Sequence, residues 1–121
     1  MAASPARRER VRFSRPDDRF VVVRITGPRH NYLAFRLGEP GSGGPRFVVA
    51  ESGARRLDLK QVEAAVLAGL ARAREAFEGV PEIGEVEFIW SDTGPEMVYE
   101  KLAYGLAGFV ASEVGGQSGR R

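Results

Sequence analysis

The chain has one histidine, His30, in the run Gly27-Pro28-Arg29-His30-Asn31 between two apolar stretches. Imidazole exchanges a proton near neutral pH more readily than any other unperturbed side chain, so acid–base chemistry would start there. A carboxylate and two hydroxyls that could work with it stand in Ser91-Asp92-Thr93. Arg29, His30, Asn31, Ser91, Asp92 and Thr93 thus form a candidate polar edge. It reads either as a base with an orienting acid and a nucleophile, or as polar groups converging beside a helix start, where anions and ligands are commonly met. The plainer alternative weighs more. His and Asn are ordinary turn residues, and Ser-Asp-Thr-Gly-Pro is ordinary capping sequence. No G-x-S-x-G elbow, phosphate loop or dinucleotide fingerprint supports catalysis, so no residue is assigned a catalytic role.

Other chemistries fare no better. The segment Gly38–Pro45, GEPGSGGP, resembles a phosphate loop in composition alone, and no helix follows it directly. One histidine and no cysteine leave no metal-ligand pattern, and Glu82, Glu85 and Glu87 alternate as a solvated strand face does. No cofactor is implied. Arg24, Arg29, Arg36 and Arg46 with Tyr32 interleaved would make a basic stripe for RNA if they shared an open sheet face. The competing view is that they solvate that face and pair with Glu51 or Glu87 across strands.

These residues lie on elements with clear patterns. Arg19–Thr26 is apolar on both faces at its centre and reads as an interior strand. Tyr32–Leu37 alternates, with Leu33, Phe35 and Leu37 on one side and Tyr32, Ala34 and Arg36 on the other. The pair predicts a hairpin around residues 27–31. Arg46–Ala50 is a third strand, expected to complete an antiparallel meander. Asp58 predicts a helix start, with Gln61 closing a capping box and Leu57 stapled onto Val62. The stripe Val62, Ala65, Val66, Gly69, Leu70, Ala73 and Phe77 follows at helical spacing. Gly69 within it marks a close approach, expected to be to the sheet. Glu85–Trp90 is a fourth strand. Thr93-Gly94-Pro95-Glu96 predicts a second capping box, opening a helix that runs through Val98, Leu102, Gly105, Leu106, Phe109 and Val110 to a stop at Gly115-Gly116. Val11-Arg12-Phe13 alternates briefly and would add a short edge strand.

The order β-β-β-α-β-α predicts an α/β (α+β) two-layer sandwich, with a four-stranded mixed sheet and both helices on one face. Counting the four strands from the N-terminus, the expected order is 3-2-1-4, which puts the doubly apolar strand in the interior. This topology is similar to the second domain of ribosomal protein S5 and the fourth domain of the ribosomal translocase over about residues 19–114. That superfold hosts RNA binders, kinases and dehydratases, so the resemblance implies a fold and no activity.

At 121 residues and 43% hydrophobic content, the chain has material for one core burying roughly two-thirds of its unfolded surface. Residues 1–18 read as a mostly disordered basic tail, 19–114 as a single α/β domain and 115–121 as a disordered tail. No run approaches the ~18–20 apolar residues of a membrane span, there is no secretory pattern, and the lack of cysteine suits the cytoplasm. Arg, Gly and Ala dominate over Lys as in a GC-rich bacterial genome. Residues 1–15 carry net +4 and 115–121 net +2, leaving −4 on residues 16–114, a distribution that disfavours nucleic acid as the partner of the folded face. The expected open face carries Val21, Val23, Arg24, Ile25, Tyr32, Arg36 and Val48. Its apolar members exceed what one helical layer covers, and bare apolar patches mark interaction sites. The expectation is a non-catalytic protein-interaction module, associating with a protein partner or a second copy through this face. An RNA-binding or ribosome-associated domain comes second, and a small enzyme at the 27–31/91–93 edge third.

Overall fold

A computed structural model describes residues 10–26, 29–39, 41, 43–50, 57–89 and 95–117. Strands β1 (Arg10–Ser14), β2 (Arg19–Thr26), β3 (Arg29–Leu37) and β4 (Arg46–Ala50) precede helix α1 (Leu59–Ala76), strand β5 (Ile83–Ile89) and helix α2 (Val98–Gln117). The architecture is α+β with a mixed sheet. The sheet has five strands rather than four, in the order β1-β2-β3-β5-β4. The brief alternation at residues 11–13 belongs to a full strand, antiparallel to β2 with Phe13 opposite Val22.

The expected 3-2-1-4 order is corrected in two places. The 46–50 strand does not complete a meander beside β3, and the 83–89 strand does not pair with β2. Instead β5 lies between β3, antiparallel, and β4, parallel. The physical reasons are local. The gap between β3 and β4 is long enough for β4 to skip a position, and β5 then finds backbone partners on both edges. The edge of β2 that β5 was to occupy is taken by β1. The order behind the ribosomal protein S5 resemblance is therefore not the order of this sheet. The crossover through α1 connects two parallel strands, β4 and β5.

Side-chain alternation divides the sheet cleanly. Phe20, Val22, Leu33, Phe35, Val86 and Phe88 face the helices and join Val62, Val66, Leu70, Leu106 and Val110 in one core. Each such side chain contributes about 1.5–3 kcal/mol when fully buried. The α1 stripe is buried as its spacing predicts, from Val62 to Ala73. Gly69, however, approaches α2 and not the sheet. A Cβ on it would run into the Glu100 carbonyl oxygen and lie 2.9 Å from Ala103 Cβ.

The helix starts differ in detail from expectation. Asp58 caps α1 by accepting from the Gln61 backbone N–H at 3.1 Å. The reciprocal bond comes from elsewhere: the Asp58 N–H donates to Glu96 Oε2 at 2.8 Å, so the entries of the two helices are tied together. Glu96 thus serves α1, and α2 begins only at Val98 after i→i−3 bonds from Val98, Tyr99 and Glu100. Thr93 lies outside the described residues. The expected stop at Gly115-Gly116 is not one, since α2 continues to Gln117. Cooperative propagation from the part of α2 packed on α1 and the sheet outweighs the propensity cost of two terminal glycines.

Candidate interaction surface

The sheet face turned away from the helices is assembled by register. Arg19, Val21, Val23 and Ile25 of β2 stand opposite Arg36, Ala34, Tyr32 and His30 of β3. Glu87 and Glu85 of β5 stand opposite Ala34 and Arg36, and Val48 and Arg46 of β4 oppose those same glutamates. Arg24 is on the other side. Its cross-strand partner is Asn31, which bonds to α2 (below), so Arg24 leaves the expected open-face set and the basic stripe with Arg36 is not formed.

Charge pairs roof one half of this face. Arg36 meets Asp18 at 2.7 Å and Glu85 at 3.5 Å, and Glu85 reaches on to Arg46 at 2.9 Å. Beside this ladder, Arg19 Nη1 donates to Tyr32 Oη at 3.2 Å and to Glu87 at 3.3 Å, while the Tyr32 hydroxyl donates to Glu87 at 3.3 Å. Beneath this roof Ala34 is 2% and Val21 6% exposed. Val21, expected to be open, is therefore covered by the protein's own side chains. Of the arginines expected to pair with Glu51 or Glu87, Arg36 and Arg46 pair across strands with Glu85 instead, and Glu87 takes Arg19; Glu51 lies outside the described residues.

Tyr32 is pushed above the ordinary tyrosine value, first by burial and then by the negative charge of Glu87, with Arg19 and Arg36 pulling the other way. The folded state thus holds this proton longer than the unfolded chain. The resulting stability is complete below tyrosine's ordinary pKa of about 10 and is lost as pH rises through the folded-state value. Glu87→Gln is expected to return the phenol titration toward the ordinary value. Alkaline ultraviolet difference spectra, with Tyr32→Phe as the blank, measure this; an unmoved titration would detach Glu87 from Tyr32.

The other half of the face is open. Ile25 is 42% exposed and Val23 half-buried. With Arg10, Val11 and Arg12 they line a shallow cleft of about 700 Å³. Every residue of β1 is exposed, yet the strand is anchored. Phe13 stacks on Phe109 of α2 with centroids 5.4 Å apart. Gly105 makes room, since a Cβ there would lie 3.2 Å from the Phe13 ring. Just beyond β1, Arg15 sits 4.7 Å over the Phe20 ring and 3.8 Å from Glu113. Among the described residues no strand pairs with the outer edge of β1.

No family model and no curated protein matches this chain. Its surfaces must therefore be judged on their own chemistry.

On the helix side, Arg24 Nη1 donates to Asn31 Oδ1 at 3.0 Å, and Asn31 Nδ2 donates to Tyr99 Oη at 3.2 Å. Asn31 and Tyr99 are both buried. The cluster joins the beginning of β3 to the first turn of α2, beside a cleft of about 140 Å³ lined by Val11, Phe13, Arg24, Val98, Lys101 and Leu102. Sequence reasoning misses it because Asn is an ordinary turn residue. The signal was two polar residues, Arg24 and Asn31, meeting in register where an apolar pair was due.

The polar edge is only partly placed. Arg29 and His30 belong to β3 and not to a turn, opposite Thr26 and Ile25, and Asn31 is built into the core. Gly27, Pro28, Ser91, Asp92 and Thr93 lie outside the described residues. No three His, Cys, Asp or Glu side chains among the described residues gather as a metal site. No described helix is long and apolar enough to cross a membrane.

Proposed function

We propose that this chain is a small non-catalytic interaction module that docks a protein partner on the β1–β2 part of its open sheet face. A second copy of the chain is the simplest partner to measure. One observation carries this view. Half of the face is closed by its own ion pairs, while the other half leaves Ile25 exposed and Val23 half-buried beside an edge strand whose outer side has no neighbour among the described residues. Exposed apolar residues flanking an unpaired strand edge are a hazard to a free monomer, and a partner removes it. Arg36 and Arg46, half of the stripe considered for RNA, are both engaged by Glu85.

The test is sedimentation at micromolar concentration together with binding of an apolar dye. Ile25→Lys is expected to abolish association and dye binding while changing stability by no more than about 0.5 kcal/mol, as for an exposed position. A wild-type chain that stays monomeric, binds no dye and takes up no extended peptide along β1 would overturn the proposal.

A further inference from the structure

The geometry points to an acidic, extended peptide as the occupant of the β1 edge, added as a sixth strand whose alternate residues are Asp or Glu. This inference rests on the proposed interaction role and names its partner's chemistry.

Three observations converge on it. Arg10 and Arg12 occupy alternate positions of β1 and stand opposite Ile25 and Val23 on the open face. Unlike Arg19, Arg36 and Arg46, they have no carboxylate partner among the described residues. A strand laid along β1 with carboxylates at i and i+2 would face both guanidiniums at once, the favourable cross-strand arrangement. Its intervening apolar side chains would fall on the helix side, next to Val11 and the cleft that runs to Val98 and Leu102.

The fold already contains the matching strand. Glu85-Val86-Glu87-Phe88 of β5 is the charge-reversed counterpart of Arg10-Val11-Arg12-Phe13. In both strands the charged residues share the open face and the apolar ones face the helices. Within the sheet, Glu85 sits between Arg36 and Arg46, and Glu87 receives Arg19. A glutamate set between arginines of the two neighbouring strands is thus a pairing this sheet uses internally, at Glu85, and β1 presents the basic half with no acidic one among the described residues.

A second copy fits this edge poorly. In the symmetric antiparallel register that pairs all five residues of β1, Arg12 would stand opposite its own copy, and like charges directly opposite destabilise a pair. In strand addition, main-chain hydrogen bonds supply affinity and alternate side chains supply specificity. Here the specificity is for negative charge.

The experiment uses the full chain and two labelled, end-capped peptides, Gly-Glu-Val-Glu-Phe-Ile and its counterpart with both glutamates replaced by lysine. The acidic peptide is expected to bind, to protect β1 amides from hydrogen exchange, and to weaken with added salt. Arg10→Glu with Arg12→Glu should reduce its binding by roughly tenfold or more, about 1.4 kcal/mol, with the circular dichroism unchanged. Equal binding of the two peptides, or binding indifferent to the double charge reversal, would overturn the inference. So would loss of protection at β3 and β4, which would mean that the peptide displaces β5. A single-stranded RNA oligomer that binds through Arg10 and Arg12 when neither peptide does would also overturn it. If the peptides fail while the chain self-associates through Ile25, the inference falls and the interaction role stands; if self-association and dye binding fail as well, both fall.

Discussion

Replacing Gly69 by valine is expected to lower folding stability by about 3 kcal/mol, the upper part of the range for overpacking a tight contact. The site is where α1 and α2 touch. A Cβ on residue 69 would collide with the Glu100 carbonyl oxygen and lie 3.1 Å from the Tyr104 amide nitrogen. Both are backbone atoms, so no side chain can rotate away and a whole helix must move. Gly69→Ala makes the sharper test because two effects oppose each other. Helix propensity alone favours alanine by about 1 kcal/mol, yet the contact predicts a net loss. At Ala68, one residue earlier and exposed, propensity acts alone, so Ala68→Gly should also destabilise. Both directions of the same exchange would thus be unfavourable at adjacent positions. Urea midpoints at constant slope measure this, and a stabilised Gly69→Ala would show that the helices are not in close contact.

Asn31→Leu is the second large effect, about 2 kcal/mol of destabilisation, although leucine suits a buried strand position and shares the branched shape. The cause is what the change leaves behind. Tyr99 is fully buried and its hydroxyl receives the Asn31 amide N–H, while Arg24 donates to the amide oxygen. Removing one member of a buried polar cluster forfeits the desolvation already incurred by the others. The cluster also sets which face of α2 meets the sheet. Tyr99→Phe in the Asn31→Leu background should therefore cost less than it does in the wild type. A double-mutant cycle reads that coupling directly, and strict additivity would show that the two side chains act independently.

Much of the fold was legible because local patterns and tertiary environment agree. The Asp58 cap, the α1 stripe and the alternation of residues 32–36 needed no partner to be recognised. Strand order was not legible in the same way. The hairpin of β2 and β3 is enforced by a connection too short for any alternative, whereas the glycine-rich connection before β4 leaves its position to be chosen by partners far along the chain. The cue lay in charge: Glu85 and Glu87 alternate on β5, where Glu85 sits between Arg36 of β3 and Arg46 of β4 and Glu87 takes Arg19 from β2 across β3. β1 was undervalued because Arg10 and Arg12 were counted as part of a basic tail. Its true signature is split across the molecule, in an alternating R-V-R-F at one end and a glycine in α2 that admits Phe13. The candidate surface was legible as an apolar surplus on one sheet face. Its extent was not, because covering Val21 required knowing that Arg19, Tyr32 and Glu87 converge across three strands.

The place of β5 also sets an order of assembly. A chain emerging residue by residue can close β1, β2 and β3 into a ribbon at once, but β4 has no strand to join until Ile83–Ile89 has followed it. For that interval, while α1 is being added, the far edge of β3 and both edges of β4 are exposed together. Non-local pairing of this kind is slow and leaves strand edges open while it proceeds. The acidic alternation of β5 then acts as an address: among the edges waiting for a strand, those bearing Arg36 and Arg46 are the ones its charges select.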